Sequence, residues 1–516
     1  MKRLIALLVV LALVVTPLLG GLWWFLSQDD DDAVAPPQRP TNTQGADPSV
    51  TQAPEGLEAF YTQGLEWTSC GQGFECGWLQ VPMDYADPEG EVLDLAVLKV
   101  EAKRPEQRVG SLVVNPGGPG APGTTYASQA ELVFREPLLR YFDIVGFDPR
   151  GTGRSNPVDC LADDELDSYL ASDPAPDDPA EQQEFMGWVK RIPAGCTAKS
   201  GPLAAHVSTV EAARDMDVLR AALGQAKLDY FGASYGTKLG ATYAELFPEQ
   251  VGHLVLDGAV DVSATSRELS LGQAGGFELA LRSYVTDCVE GGGCVLGDSV
   301  EEGLSAITDL IDRIDAEPLP TNGDRDLAVG NAFYGIVAPL YNRDYWFLLT
   351  AALEQALAGQ GDALLELSDL YSSRGPDGFT DNSAEAIYAI NCLDDFWAIE
   401  APEVEGEYAD FEAVSPTFGR VFAWGLTGCG GFTNEPSEQV EIDGAGADPI
   451  LVTGTTRDPA TPMEWAEALA EQLESAILIR RDGDGHTAYN SGNECVDTAI
   501  EDYLVDGVVP EGDLSC

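Results

Sequence analysis

The chain has 516 residues, of which 28 are Lys or Arg and 86 are Asp or Glu, for a formal charge of −58. Hydrophobic residues make up 44% and charged residues 22%, which excludes a wholly disordered chain, a collagen and a multi-span membrane protein. No basic footprint for phosphate is present, so nucleic acid is excluded as a partner, and the acidity reads first as a soluble, self-repelling surface. The length fits one large domain with insertions, or two to three domains.

Lys2 and Arg3 precede an apolar run of 23 residues, Leu4 to Leu26. As a helix this run spans about 34 Å at ~1.5 Å per residue, enough to cross a bilayer. The positive end favours a cytoplasmic N-terminus, with Asp29 to Asp32 outside. Ala33-Val34-Ala35 has the small-x-small pattern of a cleavage site. Residues 1–27 are therefore expected to be a signal peptide or membrane anchor, which makes the rest secreted or held on the outer face of the membrane. Residues 28–55, rich in Asp, Pro, Thr and Gln, read as a disordered linker.

Ten cysteines follow the export segment, with no C-x-x-C pair. In an oxidising compartment this even count reads as five disulfides rather than a metal site. Ten cysteines allow about 945 pairings. Neighbour pairing is the expectation: Cys70–Cys76, Cys160–Cys196, Cys288–Cys294, Cys392–Cys429 and Cys495–Cys516.

From Gly110 the pattern alternates strands and helices. Ser111–Val114 and Phe142–Gly146 are predicted strands, ending in Asn115-Pro-Gly-Gly-Pro-Gly120 and Asp148-Pro-Arg-Gly151. Ser208-Thr-Val-Glu211 is a capping box opening a helix to about Leu223. Leu228–Phe231 is a strand, then Gly232-Ala-Ser-Tyr-Gly236 and a helix through about Phe247, then a strand over His253–Leu256. This alternation predicts a mostly parallel sheet with crossovers, its ligand site at the carboxyl ends of the strands. Residues 262–385 turn mostly helical, with predicted helices over Gly303–Ile314 and Tyr345–Leu365, and read as an inserted helical cap. Strand character resumes at Pro449–Thr453 and Ala476–Ile479. The division is therefore a core over 56–261, a cap over 262–385, and a C-terminal part of the core over 386–516.

Gly232-Ala-Ser234-Tyr-Gly236 is a G-x-S-x-G pentapeptide between a strand and a helix. A serine hydroxyl needs a base. Of the three histidines, His206 and His253 read as structural, while His486 sits in a Gly-rich loop after strand 476–479. Asp458 follows strand 449–453, so the order Ser234, Asp458, His486 is that of an α/β-hydrolase triad. Asp448, Asp482 and Asp484 compete for the acid. An oxyanion hole is expected from the N–H groups of Tyr235 and of the Gly117-Gly118 turn, with Gly118 favoured. No cofactor or metal is expected.

Asn115-Pro-Gly-Gly-Pro-Gly, Gly146-Phe-Asp-Pro-Arg-Gly-Thr-Gly-Arg-Ser155 and Gly232-Ala-Ser-Tyr-Gly-Thr237 together resemble the secreted tripeptidyl aminopeptidase branch of the proline iminopeptidase family. Trp67-Thr-Ser-Cys70, Cys76, Val81-Pro-Met-Asp-Tyr85 and the tail from Gly485-His486 through Cys495, Tyr503-Leu and Cys516 extend the likeness over nearly all of residues 57–516. The resemblance implies a serine exopeptidase acting on peptides with a free N-terminus. It also implies carboxylates for the substrate amine, for which Asp394 and Asp395 in Ile390-Asn-Cys-Leu-Asp-Asp395 are candidates. Thr487 follows His486 where many relatives have Gly. The alternatives are a carboxylesterase or lipase on the same scaffold and, from another class, a cell-surface binding protein; the complete triad argues against the last.

Overall fold

The computed structural model describes residues 53–516, so the export segment and nearly all of the linker lie outside the described residues. Among the described residues no helix is long and apolar enough to cross a membrane.

Ten strands form one sheet. In chain order they begin with β1 (Thr68–Ser69), β2 (Phe74–Pro82), β3 (Val92–Val100), β4 (Gly110–Asn115), β5 (Phe142–Phe147), β6 (Leu228–Ala233) and β7 (Val251–Asp257). Two-residue strands β8 (Arg374–Gly375) and β9 (Gly378–Phe379) pair apart as a hairpin. The main sheet closes with β10 (Ile450–Arg457), β11 (Ala476–Asp484) and β12 (Leu514–Ser515). Its order is β1-β2-β3-β5-β4-β6-β7-β10-β11-β12. The β1–β2, β2–β3 and β3–β5 pairings are antiparallel and the rest are parallel. The parallel part is the doubly covered sheet that the alternating pattern predicts. Along its strands Val113, Val145, Tyr230, Leu254 and Val452 fill one face. Their neighbours Leu112, Ile144, Phe231, Val255 and Leu451 fill the other. This is the period-2 alternation of a pleated sheet buried on both sides.

The helices used below are α1 (Asp163–Ala171), α2 (Pro179–Ser200), α3 (Thr209–Ala222), α4 (Tyr235–Leu246), α5 (Ser266–Gly291), α6 (Val300–Ala316), α7 (Val329–Val337), α8 (Trp346–Leu357), α9 (Asp362–Tyr371), α10 (Ser383–Asp394), α11 (Tyr408–Val414), α12 (Gly419–Gly425), α13 (Met463–Gln472) and α14 (Glu494–Asp506). Helices α5 to α9 bury an apolar cluster of their own, including Leu281, Ile307, Ile336, Leu353 and Leu364. The predicted helix over 345–365 is two helices, broken at Gly359, whose φ of +90° no right-handed helix accepts. Helical structure also runs past 385: that boundary falls inside α10, α11 and α12 follow, and the sheet returns only at Ile450. The hairpin β2–β3 and the excursion α1–α2 between β5 and α3 carried no hydrophobic period clear enough to predict them. At α3, Ser208 Oγ accepts the Glu211 N–H, but the reciprocal half of the box is absent. Glu211 turns instead to His206 Nδ1 at 2.9 Å.

The five disulfides are Cys70–Cys76, Cys160–Cys196, Cys288–Cys294, Cys392–Cys429 and Cys495–Cys516, the neighbour pairs. The Asp148-Pro-Arg-Gly turn after β5 is held by buried charges. Asp148 accepts the N–H groups of Thr124 and Arg154 at 2.9 and 3.0 Å. Arg150 is fully buried and makes a bidentate pair with Asp215 at 2.8 and 2.7 Å, while donating to the carbonyls of Pro82, Met83 and His206. Asp215→Ala removes the bidentate partner and leaves this guanidinium only the longer carboxylate contact to Glu211 at 3.4 Å, and is expected to cost up to about 3–5 kcal/mol. Urea unfolding of the variant checks this; a loss below ~1 kcal/mol, the scale of an exposed pair, would show that the pair does not hold the turn.

Candidate active site

The carboxyl ends of β4, β6, β7, β10 and β11 converge on one region. Between β6 and α4, Ser234 sits at φ +57°, ψ −126°, a strained conformation for a residue with a side chain. The flanking glycines explain why the turn can be this tight. A Cβ on Gly232 would lie 2.4 Å from the Gly236 carbonyl oxygen, and one on Gly236 would lie 2.9 Å from Asn115 Oδ1. The Ser234 side chain does not cap α4, which leaves its hydroxyl free for other work.

Asp458 lies just past β10 and is 1% exposed. Its carboxylate accepts the N–H groups of Ala460, Thr461 and Thr487 and the Thr461 hydroxyl, between 2.8 and 3.1 Å. Both its oxygens also lie 2.9 Å from His486 Nδ1. An ionised carboxylate only accepts, so Nδ1 carries the proton and Nε2 is the free, basic nitrogen. The rival acids are committed elsewhere: Asp448 to Lys227, and Asp482 and Asp484 to Arg457. His206 and His253 pair with Glu211 and Asp229.

Ser234 and His486 are each braced at the end of β7. The Ser234 N–H donates to the Asp257 carbonyl at 2.9 Å, and the Cβ position of Gly258 is 3.4 Å from His486 Cε1. Among the described residues no hydrogen bond joins Ser234 Oγ to His486, so their pairing as nucleophile and base rests on chain order and on this shared bracing. Asp257 itself is 1% exposed, and its side chain accepts the N–H groups of Ala488 and Tyr489 and the Thr453 hydroxyl. Sequence reasoning missed it, although a carboxylate closing the apolar strand Val255-Leu-Asp257 was a visible signal. It also missed the cap's contribution: Tyr341 accepts the His486 N–H through its carbonyl at 2.8 Å and sets its ring edge-on to the imidazole. Thr487 has φ +70°, the conformation for which relatives' Gly is suited, and is held by its N–H to Asp458 and its carbonyl to Thr455.

In the loop after β4, the Gly117 N–H is already taken by Asn115 Oδ1 at 2.8 Å. Gly118 follows it and lines a cavity of about 400 Å³ together with Ser234 and Tyr235. Asp394 and Asp395 line the same cavity, as do Asp261, Glu438 and Lys238. Asp394 is buried and paired with Lys238 at 2.7 Å, and Glu438 is paired with Arg214 at 2.6 Å. Asp395 accepts from Ser266 Oγ and the Trp397 N–H, and Asp261 from Ser263 and Gln472. Neither has a Lys or Arg partner among the described residues.

Burial pulls the His486 imidazole down, but the Asp458 carboxylate, by charge and by hydrogen bond, and the Asp257 charge outweigh it and leave the pKa raised. Burial pushes the Asp257 carboxyl up, against the Thr453, Ala488 and Tyr489 donors that hold its charged form.

A mostly parallel sheet with a half-buried serine at a strand-to-helix turn, and a His–Asp pair on the loops after later strands, is the architecture of an α/β-hydrolase. Comparison with known proteins narrows this. A family model described as TAP-like protein matches residues 415–516. Serine protease Hip1 of Mycobacterium tuberculosis is 36% identical over 477 residues, covering 88% of this chain and 91% of the relative. Carboxylesterase B of the same species is 35% identical over 476 residues, covering 87% and 89%. Tripeptidyl aminopeptidase of Streptomyces lividans is 30% identical over 470 residues, covering 88% and 86%. The chain belongs to the tripeptidyl-aminopeptidase-like family of α/β-hydrolases and is a serine hydrolase.

The raised His486 pKa is open to direct measurement. Its imidazole is expected to titrate above the ~6.5 of an ordinary histidine. In Asp458→Asn the downward pull of burial is left largely unopposed, so the titration should fall below that value. NMR of the imidazole in both proteins checks the sign; an unchanged midpoint would refute the role of Asp458.

Proposed function

We propose that this chain is an exported serine exopeptidase that releases tripeptides from the free N-terminus of peptide substrates, by an acyl-enzyme mechanism on Ser234, His486 and Asp458. The observation that carries this reading is the cavity that holds Ser234. It brings a strained serine and two backbone donors together with four carboxylates, of which Asp261 and Asp395 have no Lys or Arg partner among the described residues. An N-terminal ammonium supplies the missing charge. The relatives named serine protease and tripeptidyl aminopeptidase support the substrate class. The disulfides fit an oxidising compartment outside the cytoplasm, and the apolar run Leu4–Leu26 is the route there.

In this reading neutral His486 takes the proton of the Ser234 hydroxyl through Nε2 as Oγ attacks the scissile carbonyl. Asp458 keeps the proton of Nδ1 in place and stabilises the imidazolium. The N–H groups of Gly118 and Tyr235 hold the oxyanion; Gly117 cannot, since its N–H is spent on Asn115. The C–N bond breaks as His486 returns the proton to the leaving amine. Water, deprotonated by His486, then cleaves the ester and frees the tripeptide carboxylate. The carboxylates that hold the amine set its distance from Ser234, and that distance sets how many residues are released. The carboxylesterase B relative favours a second reading, an esterase on the same triad.

A free-amine tripeptidyl amide, its N-acetylated form, a single-residue Pro amide and a short acyl ester separate these readings. Fast cleavage of the free tripeptide, lost on acetylation, is expected; cleavage of the ester alone would establish the esterase. Ser234→Ala should abolish turnover with the fold intact, as judged by circular dichroism. Asp261→Asn or Asp395→Asn should raise KM about 10- to 100-fold for the free tripeptide, since a hydrogen bond to a charged group contributes about 1.5–3 kcal/mol. The base must be neutral to act, so kcat/KM should fall as pH drops through the raised His486 pKa, with its acid midpoint above about 6.5. A profile flat down to pH ~4 would rule out His486 as the base.

A further inference from the structure

Asp394 faces the cavity, yet its carboxylate is already spoken for. Oδ1 accepts the Thr209 N–H at 2.9 Å, and Oδ2 accepts both the Thr209 hydroxyl and the Lys238 ammonium, the latter at 2.7 Å. The residue is 8% exposed. With its proton given to Asp394, the Thr209 hydroxyl is free to accept from the Tyr235 hydroxyl, 2.6 Å away. A chain of donors thus runs from Tyr235 through Thr209 to Asp394. Lys238 lies one turn beyond Tyr235 on α4, so Asp394 grips the first turn of that helix at two points. Asp394 is itself fixed at the end of α10, where its carbonyl accepts from Gln439 Nε2 at 2.8 Å and Cys392 is bonded to Cys429.

We propose that Asp394 is a positioning residue, which fixes Tyr235 through Thr209 and so aims the Tyr235 N–H at the oxyanion, and that it is not a ligand of the substrate amine. This rests on the serine-hydrolase reading of the site. The charge argument supports it: Lys238 neutralises Asp394 at 2.7 Å, so an incoming ammonium would have to compete for an oxygen already held. Ordered hydrogen-bond chains from buried carboxylates give backbone donors the fixed geometry that oxyanion stabilisation depends on. Removing the link loosens the donor without deleting it. The expected loss is therefore about 10-fold in kcat, short of the ~10²–10³ for deleting a donor outright.

The test measures kcat and KM of Asp394→Asn, Thr209→Val and Tyr235→Phe on two substrates, a free-amine tripeptidyl amide and p-nitrophenyl butyrate, which has no amine. A fall in kcat of about the same factor on both substrates, with KM within about twofold, is the expected result. The Thr209→Val/Tyr235→Phe double variant should lose no more than either single change, because both cut one chain. Thr209→Ser, which keeps the hydroxyl, should restore kcat. A rise in KM confined to the tripeptide in Asp394→Asn would overturn the proposal and make Asp394 the amine ligand. Undiminished kcat in both Thr209→Val and Tyr235→Phe would also overturn it. These two variants leave every charge paired, so they carry the test if Asp394→Asn fails to fold. Failure of the exopeptidase reading looks different: wild-type protein would then cleave the ester but not the tripeptide, and the ester would still report on Asp394.

Discussion

Asp257 is the point through which the site is tied together. Its backbone carbonyl takes the N–H of Ser234, and its side chain takes the N–H groups of Ala488 and Tyr489 and the hydroxyl of Thr453. One residue at the end of β7 therefore sets the nucleophile elbow after β6, the end of β10 and the loop that carries His486. A carboxylate this deep would be costly to ionise alone, and the three hydrogen bonds its side chain accepts are what make the position tenable. The segment between α7 and α8 adds a second brace, since the Tyr341 carbonyl accepts the His486 backbone N–H.

Much of this was legible in the sequence because the relevant signals are local. The buried apolar runs at 111–114, 142–146, 228–231 and 253–256 each became a parallel strand, and the Gly-Ala-Ser-Tyr-Gly elbow needs only its neighbours to be recognised. The pairing of Asp458 with His486, on the loops after β10 and β11, was readable from the strand-loop pattern. What escaped depends on long-range packing. The hairpin β2–β3 joins the sheet through an antiparallel edge that no period announces, and α10 to α12 are helical although they follow residue 385, where the helical insertion was expected to end. Asp257 and Tyr341 act across 231 and 145 positions of sequence, distances over which a single chain offers no pairing information.

Composition misleads in one respect. With 86 acidic residues, an aspartate near the active site carries little information by its count alone. Burial and pairing sort them. Asp257, Asp394 and Asp458 are all buried, and each has its oxygens filled by N–H, hydroxyl, imidazole or ammonium donors. Each holds another group in place: the base loop, the first turn of α4, the imidazole. A buried aspartate so filled has little capacity left for a ligand.

Asp261 and Asp395 are the converse case. They line the same cavity, keep contact with solvent, and are met only by neutral donors. Lys238, the one cation lining this cavity among the described residues, is already matched to Asp394, and Glu438 is matched to Arg214. The unbalanced negative charge is thus concentrated on two side chains that a ligand can reach. An ester of an uncharged acid gains nothing from that charge, because its polar groups would have to displace water from two carboxylates without offering a cation in return. A peptide N-terminus offers one at the end of a backbone whose length is fixed in residues. On the proposed reading the same two groups would select the substrate and place its scissile bond, so that the charge of the cavity, more than the Ser-His-Asp set, would separate peptidase from esterase.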